Sequence, residues 1–306
     1  MRVLVTGGAG FIGSNLVDKL VDDGHDVVIV DNLSTGKKEN INPKAKFYNK
    51  DITQMRRSSD FTMFEGVDVV FHTAALARVQ PSIENPIEYH DVNVNGTLNV
   101  LKACVDYGVS RFVFSSSSSV YGDVEEKDLP TSEESELNPM SPYALHKLIG
   151  EQYCKLYSDL YGLETVSLRY FNVYGERQNT EGAYCLVMGV FAQQLLDGKP
   201  MTINGDGEQR RDFTYVGDVV DANIKCATTL GFEFNGEVFN IGANDNRSVN
   251  DVANLLGGDS INNPPVLEPR QTRADNSKAK KILNWKTTQN FEEWVNKWKK
   301  ELGLWI

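Results

Sequence analysis

Residues 3–13 read Val-Leu-Val-Thr-Gly-Gly-Ala-Gly-Phe-Ile-Gly, an apolar strand that enters a turn and then a helical pattern. Three of its glycines carry distinct tasks. Gly7 allows the tight turn, Gly10 lets the backbone approach a pyrophosphate, and Gly13 lets the helix pack close to the strand. The free N–H groups and positive dipole end of the helix then face the phosphates. A second strand, Val-Val-Ile-Val-Asp, ends at Asp31, 18 residues after Gly13. A carboxylate there accepts both hydroxyls of an adenosine ribose and repels a 2′-phosphate. Asn32-Leu33 follows, with no adjacent arginine to invite that phosphate. The cofactor expected is therefore NAD rather than NADP.

A second constellation lies in Ser-Pro-Tyr-Ala-Leu-His-Lys at 141–147. Pro142 suits the first turn of a helix, and that helix places Tyr143 and Lys147 on one face. A phenol with a pKa near 10 is a poor base at neutral pH. A lysine ammonium, together with the positive nicotinamide of NAD⁺, favours the phenolate. Lowering the pKa to about 7 takes about 4 kcal/mol at ~1.36 kcal/mol per unit. A third polar group comes from the serine run Ser115–Ser119, between Arg-Phe-Val-Phe and Val-Tyr-Gly. It reads as the carboxyl end of a buried strand, where ligands of open α/β sheets bind.

The elements needed to position these groups are legible as an alternation. Arg2–Thr6, Val27–Asp31, Val67–His72, Arg111–Ser115 and Thr165–Arg169 are short apolar runs, with helical periods at Phe11–Asp23, Ile87–Tyr107 and Pro142–Tyr161. Apolar runs without strict alternation suit a parallel sheet buried on both faces. The expected fold class is α/β: a Rossmann, doubly wound parallel sheet with a smaller C-terminal substrate domain. The NAD-binding domain is assigned to 1–168 plus about 212–241, and the sugar-nucleotide domain to 169–211 plus 242–306. Glu176–Gly182, Gly205–Arg211 and Asn262–Arg270 read as loops, and Lys278–Trp305 as helical.

Composition narrows the function further. Of 306 residues, 41% are hydrophobic and 24% charged, enough for a sizeable core. The net charge of −11 argues against binding to nucleic acid or to an anionic membrane. Cys104, Cys154, Cys185 and Cys226 form no CxxC pair and no metal-ligand spacing with the histidines, so buried thiols and no metal are expected. No apolar run is long enough to span a bilayer, and the N-terminus lacks a secretory pattern, so a cytoplasmic soluble protein is expected.

The glycine turn, serine strand end and YxxxK motif, in that order, resemble the extended short-chain dehydrogenase/reductase superfamily. Further segments carry the likeness over nearly the whole chain: Asp51-Ile52, His-Thr-Ala-Ala at 72–75, Asn-Val-Asn-Gly-Thr at 93–97, Arg-Tyr-Phe-Asn-Val-Tyr-Gly at 169–175 and Arg-Asp-Phe at 211–213. Within the superfamily the chain is similar to the UDP-glucose 4-epimerase family and its relatives acting on N-acetylated UDP-sugars. That resemblance implies a pyrophosphate loop at Gly7, Gly10, Phe11 and Ile12. It implies an adenosine ribose ligand at Asp31 with Asn32, adenine contacts at Asp51 and Ile52, and a cofactor-lining strand end at Ala74 and Ala75. Ser117 takes the place of the catalytic serine, with Ser116 and Ser118 as neighbours of the same chemistry. Tyr143 takes that of the base and Lys147 that of the nicotinamide-ribose ligand. Tyr170 implies a contact near the nicotinamide. Asn172, Arg211 and Arg270 imply ligands of the UDP-sugar diphosphate, and Thr272 implies the wall beside the sugar's 2-substituent.

The related dehydratases carry an acidic pair where this chain has Ser118-Ser119, which disfavours elimination of water. Two departures stand out: the segment before Ala274-Asp275 is short, and Asn204 replaces the usual aromatic near the base. The resemblance implies a 4-epimerase interconverting UDP-glucose and UDP-galactose, with UDP-N-acetylhexosamines also admitted. It also implies a homodimer joined through a four-helix bundle built from Ile87–Tyr107 and Pro142–Tyr161. Arg78 keeps open a UDP-glucuronate 4-epimerase or decarboxylase. A non-catalytic NAD-sensing protein is the alternative of another class.

Overall fold

The computed structural model describes residues 1–178, 186–266 and 268–304, with the backbone alone at Ser58. Cys185, the second half of the Glu176–Gly182 loop and Trp305 lie outside the described residues. The centre is a seven-stranded parallel sheet. Its first six strands in the chain are β1 (Arg2–Thr6), β2 (Asp26–Asp31), β3 (Lys46–Asn49), β4 (Val69–His72), β5 (Arg111–Ser117) and β6 (Glu164–Tyr170). Asn235–Ile241 pairs beyond β6, giving the spatial order Asn235–Ile241, β6, β5, β4, β1, β2, β3.

Successive residues of each strand point to opposite faces, and both faces are apolar. Val3, Val5, Val27, Ile29 and Phe71 pack with α1 (Phe11–Asp22) and the Val216–Thr228 helix. Leu4, Val28, Val30, Val70, Phe112 and Phe114 pack with the Thr97–Asp106 and Pro142–Tyr161 helices. Two buried faces on the inner strands are what the unbroken Val/Ile runs encode. The strand order reverses between β1 and β4, and Thr6, His72 and Ser117 all end strands on that carboxyl rim.

The Pro142–Tyr161 helix has the ends its sequence dictates. The Ser141 hydroxyl accepts the Ala144 N–H at 3.2 Å, Pro142 fills the first turn, and Gly162 leaves the helix at φ 66°. The expected single helix over Ile87–Tyr107 is instead Pro86–His90, a wide π turn at Asp91–Gly96, and Thr97–Asp106. The Asn93 side chain exchanges hydrogen bonds with the backbone of Leu76 inside that wide turn. Gly96 is needed there, because a Cβ would meet Ile52 at 2.7 Å.

Two strands of the sheet escape sequence periodicity. β3 (Lys-Phe-Tyr-Asn) is a half-exposed edge, and Asn235–Ile241 is polar over its first half. The C-terminal helical reading divides into Ser277–Leu283 and Phe291–Glu301, parted at Asn284 in the left-handed region (φ 48°). A separate apolar cluster of Phe213, Val252, Leu256, Phe291, Trp294 and Trp298 underlies the second half. The loops there end in short strands: Met201–Asn204 beside Ser260–Asn263, and Arg210–Asp212 antiparallel to Asn246–Ser248. Cys104, Cys154 and Cys226 are buried free thiols. No helix among the described residues is long and apolar enough to cross a membrane.

Candidate active site

The glycine turn is closed against the neighbouring strand end. Gly7 sits at φ 70°, and a Cβ there would meet the Ala74 nitrogen at 2.7 Å. A Cβ on Gly13 would lie 2.2 Å from the Gly7 carbonyl oxygen. Gly10 begins α1 with no side-chain cap, and the first turn, which holds Phe11 and Ile12, carries no acidic residue. No side chain caps the N–H groups of that turn, which makes it a cradle that a pyrophosphate fits.

Asp31 stands beside this cradle, 7% exposed. Its carboxylate accepts the Ala9 N–H at 3.0 Å and the Leu33 N–H at 2.8 Å. Both oxygens crowd Gly36, where a Cβ would come within 3.0 Å. Asn32 donates to Asp51 at 3.1 Å, which joins the ends of the ribose and adenine segments. Burial pushes the Asp51 carboxyl up, but the Thr53 hydroxyl and N–H outweigh it and hold the pKa below the ordinary value. Ile52 is buried against Gly96.

A hydrogen-bonded relay fixes the Ala74–Ala75 strand end. Thr97 donates to the Asn93 carbonyl at 2.7 Å, so its oxygen accepts from His72 Nε2 at 2.9 Å. His72 Nδ1 then accepts from the Thr6 hydroxyl at 2.7 Å, and Thr6 accepts the Ala74 N–H at 3.3 Å. This tautomer is assigned from the network. Burial first, and the Lys147 charge second, pull the His72 pKa down to about 3, so the ring stays neutral.

The serines of β5 separate by strand alternation. Ser115 and the Tyr170 hydroxyl are 3.1 Å apart, and Asn223 donates to that hydroxyl at 2.8 Å. Tyr170 therefore has its polar end engaged within the fold. Ser116 points the other way and donates to Glu151 Oε1 at 2.5 Å. Ser117, half-buried at the rim, is the serine that acts on the Tyr143 hydroxyl, where it opposes the effect of burial. Its oxygen also accepts the Ser119 N–H at 3.2 Å. The Tyr143 N–H is itself held by the buried Ser82 hydroxyl at 3.1 Å.

Lys147 is 5% exposed and donates to the Ser115 carbonyl at 2.7 Å, with its nitrogen 5.8 Å from the Tyr143 ring centre. Burial pulls its pKa down to about 8, against the raising effect of Glu151. Burial raises the Tyr143 pKa, and the groups that oppose it are the Ser117 hydrogen bond and the charge of Arg78.

Beyond Tyr143 lies a cavity of about 200 Å³ bounded by Arg78, Asn172, Asn204, Arg211, Phe213 and Glu268, among others. Arg211 closes on Glu268 in an ion pair. Thr272 reaches this neighbourhood: its oxygen accepts the Asp212 N–H at 3.2 Å and the Asn172 amide at 3.5 Å. Arg270 does not line the cavity, since its guanidinium is bidentate on Asp206 at 2.8 and 3.0 Å and more than half exposed. Sequence reasoning missed Glu268 and the buried Glu151–Arg169 pair behind β5. Only the spacing of Glu151, eight residues after Tyr143 on one helix face, pointed to the latter.

Comparison with known proteins agrees with this architecture. The model of the NAD dependent epimerase/dehydratase family matches residues 3–242. A UDP-glucose 4-epimerase of Mycolicibacterium smegmatis is 37% identical over 310 residues, covering 97% of each chain. The solved UDP-glucose 4-epimerase of Thermotoga maritima with UDP-glucose superposes with a TM-score of 0.92 at 38% identity, covering 99% of this chain and 100% of that one. A UDP-glucuronate 4-epimerase of Thermodesulfobacterium geofontis is 35% identical, covering 97% of this chain and 96% of its own.

Proposed function

This chain belongs to the NAD-dependent epimerase/dehydratase family, and from that premise we propose that it is a 4-epimerase of UDP-hexoses, interconverting UDP-glucose and UDP-galactose. The observation that carries this reading is the Ser117–Tyr143 pair at the strand end, with serines and no carboxylates at 118 and 119. Residues 1–168 and about 212–241 hold the cofactor, and 169–211 with 242–306 hold the sugar nucleotide. Gly7, Gly10, Phe11 and Ile12 cradle the pyrophosphate; Asp31 and Asn32 take the ribose; Asp51, Ile52, Ala74, Ala75 and Tyr170 line the rest. NAD, when bound, would supply a reversible hydride acceptor for the sugar C4.

Tyr143 removes the proton from the sugar 4-hydroxyl, and Ser117 holds the oxygen as charge develops on it. Lys147 keeps the floor of the site in place through Ser115 and reaches the nicotinamide ribose. Asn172 and Arg211 anchor the diphosphate. An anchor on UDP leaves the sugar itself free to turn its other face to the site, which a 4-epimerase needs and a dehydrogenase does not. One observation favours a second reading, a UDP-glucuronate epimerase or decarboxylase: Arg78 lines the cavity and would suit a sugar carboxylate.

Thr272 sets the breadth of the substrate. A threonine beside Asn172 leaves room that a tyrosine would fill, and an acetamido group overpacked there would lose about 1–3 kcal/mol. UDP-N-acetylglucosamine is accordingly expected to be turned over as well as UDP-glucose. Thr272→Tyr should depress the acetylated substrate about tenfold more than the plain one, at ~1.4 kcal/mol per decade. Equal depression of both, in kcat/KM measured side by side, removes Thr272 from this role.

The protein is expected to pair with a second copy. Ile83, Ile87, Leu145, Leu156 and Leu160 are exposed apolar residues on the helices between 79 and 161, Ile87 at 80%. Two such helices from each copy form a four-helix bundle that covers them. Light scattering should give twice the chain mass; a concentration-independent 34.2 kDa contradicts the dimer. The free buried thiols suit a reducing compartment, and the cytoplasm is assigned on that ground.

A further inference from the structure

The cavity beyond Tyr143 has a charge pattern that its family motifs do not account for. Arg211 and Glu268 face each other as an ion pair, with side chains 13% and 34% exposed, so their charges cancel. Among the described residues lining the cavity, the other charged side chain is Arg78. The other arginine expected at a diphosphate, Arg270, is committed to Asp206 on the exposed side of the Gly205–Gly207 turn.

Arg78 is also held in an unusual way. It follows β4 and precedes the Val79–Glu84 helix with φ 94° and ψ 141°, a region that residues with a Cβ avoid. Such a conformation persists only where the surroundings enforce it, and it aims the side chain where an ordinary backbone would not. From there the guanidinium acts in two directions. Its charge is felt by Tyr143, where it opposes the effect of burial on the hydroxyl, and it borders the cavity with Asn172 and Arg211.

We propose that Arg78 is the second cation of the diphosphate clamp, acting opposite Arg211 on the linkage between nucleoside and sugar. The proposal rests on the nucleotide-sugar reading above. A ligand whose sugar reaches Tyr143 and whose nucleoside fills the cavity must carry its diphosphate across the boundary between them, and Arg78 is placed on that boundary. A diphosphate carries more negative charge than one guanidinium neutralises, and the planar fork of arginine pairs with phosphate oxygens bidentately. Arg78 thus takes over the position left empty by Arg270.

Calorimetric titration of the purified holoenzyme with UDP, uridine and UDP-glucuronate tests this. Arg78→Met should weaken UDP about tenfold or more, which is ~1.4 kcal/mol or more, and leave uridine within about twofold. Arg78→Lys should recover part of the loss, keeping the charge without the fork. The melting temperature and the dinucleotide retained after purification should match wild type in both variants, which separates the effect from misfolding. Equal weakening of UDP and uridine, or no weakening of UDP, overturns the clamp. So does a loss confined to UDP-glucuronate, which would give Arg78 to a sugar carboxylate. Wild-type protein that fails to bind UDP at all overturns the nucleotide-sugar reading itself.

Discussion

Tyr143→Phe is expected to lower turnover of a UDP-hexose by about 100–10,000-fold, the range a positioned general base contributes. The geometry makes this a clean deletion. The Tyr143 ring is held by its own helix, whose start is fixed by Ser141, Pro142 and the Ser82 hydroxyl, none of which involves the phenol oxygen. What is lost is the hydroxyl on which Ser117 acts. Fold and cofactor content should therefore be unchanged, and kcat should fall with little change in KM. A variant keeping more than about half of wild-type turnover would be incompatible with a general-base contribution of that size.

The second large effect is on stability. Glu151 and Arg169 form an ion pair whose side chains are 5% and 3% exposed, bonded at 2.9 and 2.7 Å. Ser116 donates to the same carboxylate, and Arg169 donates onward to the Tyr121 hydroxyl at 2.7 Å. Burial works against the Arg169 charge, yet the Glu151 bonds more than compensate and raise its pKa. Glu151→Ala leaves that guanidinium buried and uncompensated, which costs about 3–5 kcal/mol. For a chain of this size the melting temperature should fall by about 10 °C. Replacing both partners by methionine should cost less than either single change, because no lone charge remains. Thermal unfolding of the three variants decides it: a single variant within about 1 kcal/mol of wild type would mean that water reaches the pair.

Much of the cofactor half was legible because its signals are local. The glycine turn, Asp31 at a strand end, and Tyr143 and Lys147 one helical turn apart are all fixed by short-range geometry, and β1, β2 and the Pro142–Tyr161 helix lie where the pattern places them. The serine of β5 was ambiguous by one position in the sequence. Alternation of the strand turns Ser116 to Glu151 and leaves Ser117 on the side of Tyr143. What stayed hidden depends on tertiary placement. β3 and Asn235–Ile241 are strands through pairing with their neighbours rather than by composition. Arg270 is drawn away from the cavity because Asp206 captures it, whereas Arg78, at φ 94°, lines the cavity. The Lys147 ammonium is turned to a backbone carbonyl, which no residue spacing reveals.

The most direct test of the account is proton NMR of the purified protein with UDP-galactose and no added cofactor. UDP-glucose should accumulate to a fixed ratio with UDP-galactose, the same ratio should be reached from UDP-glucose, and Tyr143→Phe should leave both unchanged over the same period. UDP-galactose that stays intact while UDP-glucuronate is epimerised or loses its carboxylate would contradict the assignment.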